Sequence, residues 1–467
     1  MPPEQSPLDG ARARRLILLA IVAVAVGLRL VGLGDRLSDA EGYSWLVASS
    51  SSVGQFFDRL ADYENTPPLF YALLAPLPLD SEAWLRVPAL VPSVACVPVL
   101  YALVRPLLGT RVALLAAAAL AVAPFHVSYA NYSRAFMLAA LGVLVAAWAV
   151  ARLAQGRRSR WWWLYLAGAT VALHAEYDSL LVLAPLLALP ALWREQGWRR
   201  TTGIGVLPLL TLVPLIGQML RGLDQLDVTK LAPPTPGLGV GPIRDSAVSL
   251  FTGTSGLMAT GAARWLQFLA LAGVLAVAAR LLARSPRLDL DDRDRAIALW
   301  LFAVLPAVAF ALHVLASAAG PDIFDARYQT ALIPLVVAML AAAVDATPWR
   351  WAMPLAALAI AGLGVAVVIQ RSGPSDQPDP RPAGRMARDA RAGTVLTNSP
   401  VIAFYLRDQD VRLDRPFGLG KSKPSCPPFC RRPLAVIEDS RLPDGVRRGD
   451  EPVVPTAEGR IGVRIVP

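Results

Sequence analysis

The sequence predicts an all-α, multi-spanning membrane protein that ends in a small C-terminal α/β domain. Three observations predict it. Apolar runs of membrane-spanning length recur along the first 370 residues. Charged residues fall to 17% of the chain, where soluble domains carry about a quarter. Those charges also collect in short clusters between the runs, as expected when a charge at the bilayer centre costs roughly 2.5–3.5 kcal/mol on insertion scales. The mean hydropathy of +0.47 agrees.

A span needs about 20 apolar residues. On that measure the sequence reads as about eleven spans, at 14–33, 84–104, 111–130, 134–152, 161–176, 178–193, 201–220, 263–283, 296–318, 327–345 and 350–370. Arg12, Arg14 and Arg15 precede the first. No small-residue cleavage site follows it, so it is expected to remain as a span with the N-terminus in the cytoplasm. Glu176 and Asp178 interrupt the fifth and sixth.

Charge orients the bundle. With the N-terminus inside, the inner loops hold Arg105 and Arg111; Arg152, Arg157, Arg158 and Arg160; Arg194, Arg199 and Arg200; and Arg284, Arg287, Arg293 and Arg295. The loop after span one carries Asp35, Asp39, Glu41, Asp58, Asp62, Glu64, Asp80 and Glu82 against Arg36 and Arg59. This is a positive-inside arrangement, and an odd span count puts the tail outside the cell membrane. The net charge of +10 therefore does not mark a nucleic-acid binder, because the arginines sit at span ends and form no basic face.

The expected organisation is a membrane domain over 1–370, a linker over 371–383 and an extracytoplasmic α/β domain over 384–467. Two outer loops are long, and loops of such length are usually functional. The loop at 34–83 carries the acidic residues and a helical stretch at 41–61. The loop at 221–262, rich in Pro, Gly, Ser and Thr, is expected to be mobile. In the tail a helix is expected at 384–392 and strands at 395–397, 401–405, 434–437 and 461–466. Cys96 reads as a packed thiol in an apolar run. Cys426 and Cys430, in Cys-Pro-Pro-Phe-Cys, are expected as a disulfide if the tail is outside; a metal pair is the weaker reading, since no His lies near.

Chemistry concentrates at the outer span ends. Leu37-Ser38-Asp39-Ala40-Glu41-Gly42-Tyr43 opens the first loop. A carboxylate there takes a proton from a hydroxyl or holds a divalent cation, or else merely caps a helix. In Tyr63-Glu64-Asn65-Thr66-Pro67-Pro68-Leu69-Phe70-Tyr71 the prolines suit the first turn of a helix re-entering the apolar layer. Ser128-Tyr129-Ala130-Asn131-Tyr132-Ser133-Arg134 places an arginine on the side where positive charge is not expected, as an anion clamp or as an interfacial snorkel. Arg327-Tyr328 leads into a span containing Pro334.

These segments, in this order, resemble the C-type glycosyltransferases, in the branch of the protein O-mannosyltransferases and the aminoarabinose (lipid A) transferases. That family carries an acidic pair after the first span, a His-Pro-Pro-Leu-Tyr-Tyr segment, a Tyr-Ser-Gln-Glu-Ala-Arg segment and a late Arg-Tyr. The resemblance covers roughly 14–345. Here Ala40 splits the acidic pair, Thr66 replaces the His before the prolines, and Tyr132 replaces the acidic residue of the third motif.

The resemblance implies transfer of a hexose or pentose from a polyprenyl-phosphate donor to an outer-face acceptor: an envelope glycan, a lipid or a protein. It implies Asp39 or Glu41 as the catalytic carboxylate. Arg134 and Arg327, with Arg86 and Lys230 behind them, are candidates for the donor phosphate, because guanidinium groups give bidentate contacts. Glu64, Tyr132, Glu176, Asp178 and Tyr328 are candidates for positioning the acceptor or a cation, Mg or Mn; the metal is unknown. The rival class is a transporter or flippase of lipid-linked sugars, which places polar residues near the membrane midplane. The sequence puts few there: His313 is one, more often a satisfied core residue than a relay.

Overall fold

The computed structural model describes residues 7–64, 66–218, 220, 239–252, 262–288, 290–319, 325–372, 379, 381–389, 391, 394–397, 399–408, 411–413, 434–439, 454–455 and 461–466. Lys230, Cys426 and Cys430 lie outside them, as does most of the 221–262 loop. Within that loop, however, Val240–Thr252 is a helix.

The first helix, α1, runs over Pro7–Leu30. The segment after it then builds two helices in place of the single stretch expected at 41–61: α2 at Asp39–Ala48 and α3 at Val53–Tyr63. The serine tract between them explains the break. Ser49 and Ser50 turn their hydroxyls onto the carbonyls of Leu46 (3.1 Å) and Val47 (2.7 Å), while Ser52 caps α3 by accepting from Gln55 N at 3.1 Å. After the two prolines, α4 is one short helix, Leu69–Leu74, with Phe70, Tyr71 and Leu74 fully buried.

Next, α5 runs over Glu82–Val122 and is divided by a kink at Gly109, whose φ of +83° favours glycine. The turn falls between Arg105 and Arg111, where an inner loop was expected. Pro124 then starts α6, Pro124–Ala130. Helices α7 (Phe136–Ala154) and α8 (Trp161–Ala175) approach at backbone distance. A Cβ built on Gly142 would stand 2.6 Å from Ala172 N, and one on Gly168 2.7 Å from Gly142 O. Close crossing on small residues suits membranes, where packing rather than hydrophobicity drives helix association. Residues 177–187 and 190–196 form a pair bent by 68°. The helical run from Asp292 to Ala319 contains a π segment at Trp300–Val304. A 3₁₀ turn at Ala326–Leu332 leads into the helix Ile333–Ala346, and Ala352–Arg371 completes the apolar part.

Among the described residues seven helices are long and apolar enough to cross a membrane, eight if the bent pair is one span. Ala262–Arg284 and Ala352–Arg371 leave Leu266, Leu269, Val274, Leu358, Val365 and Ile369 exposed. An apolar surface of this extent belongs in lipid. One large core, which includes Cys96, fills the bundle. A second, at the outer end, gathers Leu37, Leu60, Phe70, Tyr71, Leu85 and Phe136 with Val401 and Phe404 of the tail.

The tail holds a helix at Arg381–Asp389 and a mixed sheet. The strands are β1 (Thr394–Thr397), β2 (Val411–Leu413), β3 (Leu434–Asp439), β4 (Val454–Pro455) and β5 (Ile461–Val466), in the order β2-β1-β3-β5-β4. Strand β1 pairs parallel with β2 and β3, Val395 lying opposite Val411 and Ala435; β5 pairs antiparallel with β3 and β4. The strand expected at 401–405 is instead a helix, Pro400–Tyr405. Ser399 caps it and Pro400 occupies its first turn, two start signals that outweigh the β-branched composition.

Candidate active site

Glu41 lies on the third residue of α2 and is buried at 2% exposure. Its Oε2 accepts from Ser38 N (2.9 Å), Ser38 Oγ (3.0 Å) and Arg86 Nη2 (3.1 Å). Its Oε1 accepts from Arg86 Nε (2.8 Å) and Ser133 N (3.0 Å). Arg86 spends its remaining donors on the carbonyls of Gly32, Leu33, Asp35 and Arg36. Burial alone would raise the Glu41 carboxyl; Arg86 and the two backbone N–H groups outweigh it and hold the group below the usual carboxylate range. Both side chains are thus engaged in tying the end of α1 to α2 and to the Ser133 turn. Asp39 is the first residue of α2, and its side chain lies outside the described part of the structure.

Deeper under the loop, the partly buried Arg134 donates through Nη1 to Oε1 of the buried Glu64. Burial opposes the Arg134 charge, but Glu64 beside it keeps the guanidinium firmly protonated. Glu176 follows α8 directly, is 4% exposed, and its Oε1 has no hydrogen-bond partner among the described residues. Burial, and then the Asp178 charge, push its carboxyl well above the usual range. Asp178 Oδ2 stands 3.4 Å from His313 Nε2, while His313 Nδ1 is 2.8 Å from the carbonyl of Ala309. Arg327 Nε is 3.4 Å from Asp325 Oδ2, and its guanidinium lies over the Tyr328 ring, 5.2 Å from the centroid. A run of rings, Tyr129, Tyr132, Phe136 and Tyr328, joins these parts, with neighbouring centroids 5.4–6.3 Å apart.

The structure therefore brings Glu64, Tyr132, Arg134, Glu176, Asp178, Arg327 and Tyr328 close enough for their charges to act on one another. A mostly apolar groove of about 820 Å³ is lined by Phe56, Phe57, Leu69, Val171, His174 and Leu215 among others, and by none of these seven residues. No group of three or more His, Cys, Asp or Glu placed to hold a metal ion occurs among the described residues.

His313 is the satisfied, buried residue that was expected, with the Ala309 carbonyl at one ring nitrogen and Asp178 at the other. One feature escapes the sequence reading. Arg29, in α1, is fully buried and bonds Ser93 Oγ (2.7 Å), His126 Nδ1 (2.9 Å) and the carbonyls of Ala25 and Ala121. The arginine itself is visible inside the apolar run; its side-chain partners Ser93 and His126 are 64 and 97 residues away and leave no local mark.

A model of the dolichyl-phosphate-mannose-protein mannosyltransferase family matches residues 66–217. No curated protein matches the chain. Among solved structures, ArnT from Cupriavidus metallidurans bound to undecaprenyl phosphate is similar at a TM-score of 0.59 and 14% identity, over 96% of this chain and 97% of that one. The Archaeoglobus fulgidus oligosaccharyltransferase in its apo form is similar at a TM-score of 0.52 and 13% identity, over 87% of this chain and 65% of that one. The order of helices, the charged cluster and these likenesses agree: the chain is a multi-pass membrane protein with the fold of the ArnT and oligosaccharyltransferase structures, and its residues 66–217 are similar to the mannosyltransferase family.

Proposed function

We propose that this protein is an integral-membrane glycosyltransferase that moves a sugar from a polyprenyl-phosphate carrier to an acceptor on the outer face of the membrane. The observation that carries the reading is the cluster of partly buried Arg134 and Arg327 with buried Glu64 and Glu176, in a protein that also carries a large apolar groove. A polyprenyl chain fits such a groove, and the arginines suit the phosphate it carries. In this reading Asp39 is the base. It takes the proton of an acceptor hydroxyl as that oxygen bonds the anomeric carbon, and the sugar–phosphate bond breaks to release polyprenyl phosphate beside Arg134 and Arg327. Glu41 holds α2 in place, and Arg86 serves Glu41 rather than the phosphate. Glu176 and Asp178 position the acceptor, alone or through a divalent cation; loss of transfer on chelation, restored by Mg or Mn, supports the cation.

Eleven spans are proposed: the seven helices, the bent pair, a second arm of the kinked α5, and the helices Pro7–Leu30 and Trp161–Ala175. The N-terminus is inside and the tail outside. In support, Arg371, ending the last apolar helix, lies 3.8 Å from Asp35, just after the first, so both ends share one face.

The test is purified protein incubated with radiolabelled polyprenyl-phosphate sugars and membrane extract. Transfer is expected, and Arg134→Ala and Arg327→Ala should each weaken donor binding ten- to a hundredfold, since a charge-assisted contact is worth roughly 1.5–3 kcal/mol. Parental donor affinity in both variants contradicts the phosphate assignment.

A further inference from the structure

The tail does not hang free of the membrane domain. Helix Pro400–Tyr405 lies against α2, the helix that opens with Asp39. Gly42 is where they touch: a Cβ there would stand 2.7 Å from both Val401 N and Val401 Cγ2. One turn along, Trp45 meets Phe404 edge-on with centroids 5.7 Å apart. Tyr405 accepts the Leu37 N–H at 2.9 Å, two residues before Asp39. Arg381 lies over the Tyr405 ring at 5.0 Å and reaches Glu82 at 3.3 Å, and Arg407 donates to the Asp80 carbonyl at 2.5 Å. Val401 and Phe404 are buried in the outer core. The neighbouring face of α2 is fixed to the bundle by Glu41 and by Ser44 Oγ, 2.7 Å from the Ser133 carbonyl.

We infer that the C-terminal unit is a clamp: Val401, Phe404 and Tyr405 are positioning residues that hold α2, and with it the acidic segment, against the membrane domain for transfer. The inference rests on the proposed glycosyltransferase reading. Its physical basis is that α2 is only ten residues long, too short to hold itself as a helix in isolation, and takes its place from packing on two faces. A small displacement of a reacting group is enough to slow a reaction a hundredfold.

The test is full-length Gly42→Leu, which separates the two helices at backbone distance, with Tyr405→Phe as a milder variant. Turnover, donor affinity and hydrogen exchange of residues 399–406 are measured on each. Gly42→Leu is expected to speed exchange in that segment and cut kcat at least tenfold while donor Kd stays parental; Tyr405→Phe moves both in the same direction, by about fivefold in kcat for one hydrogen bond. If Gly42→Leu does not fold, Tyr405→Phe decides alone. Faster exchange with parental kcat overturns the clamp, and so does an equal loss of donor affinity, which marks general unfolding. If the parental protein transfers no sugar, the reading of function fails instead.

Discussion

Glu41 and Asp39 stand two residues apart, and the geometry separates their expected roles. Every Glu41 oxygen is occupied by Arg86, Ser38 or Ser133, all within 3.1 Å. Glu41→Gln should therefore act on stability, costing about 3–5 kcal/mol because Arg86 is left as a buried, unpaired charge. Asp39→Asn should act on turnover, costing a hundred- to ten-thousandfold as general-base losses do. Thermal unfolding in detergent beside a rate measurement separates them; a stable Glu41→Gln that is inactive makes Glu41 the base. Glu176 carries a pH signature. Its raised carboxyl favours the protonated form and ionises as pH climbs, placing a new charge beside Asp178 and Glu64. Activity should then fall on the alkaline side, and Glu176→Gln, which fixes the neutral form, should keep activity and flatten that limb of the pH–rate profile. An unchanged limb in Glu176→Gln removes the group from the mechanism. At this scale residue type and order made the candidates visible in the sequence, but pairing did not: Arg86 reads as a spare phosphate ligand until its partners are seen.

At the scale of elements, apolar length marked the membrane-length helices, seven or eight among the described residues where eleven spans were expected, and short-range chemistry told the breaks. The Arg105–Arg111 turn was legible because two arginines flank it, and the structure places Gly109 at the bend. The serine tract at 49–52 was not read as a break, because a serine's hydrogen bond to a nearby carbonyl is decided by local geometry rather than by spacing. Val401 to Tyr405 has strand composition and forms a helix, since Ser399 and Pro400 start it and one face packs on α2. The α7–α8 crossing gives a prediction. Gly142→Val pushes a side chain into the backbone of Ala172 and should destabilise by roughly 1–3 kcal/mol, as overpacking does. Gly273→Val, with nothing within 4 Å, is the control. Equal stability of the two variants would show that the helices can part without cost.

Across the whole molecule, the multi-pass membrane character was the most legible property of the sequence, because the bilayer demands long apolar helices. The docking of the tail was the least legible: Leu37 and Tyr405 are 368 residues apart and meet through one hydrogen bond. The topology predicts that a reporter active only in the cytoplasm is silent when fused after Pro467 and active when fused before Pro7; the reverse pattern moves the candidate site to the wrong face. The central claim is that the sugar leaves its carrier, and one measurement separates this from movement of an intact lipid-linked sugar. The protein is placed in proteoliposomes with doubly labelled polyprenyl-phosphate sugar and an extract of acceptors. The account predicts that sugar label appears in acceptor while free polyprenyl phosphate accumulates one for one. Sugar label that crosses the bilayer still joined to its lipid, with no polyprenyl phosphate released, would contradict it.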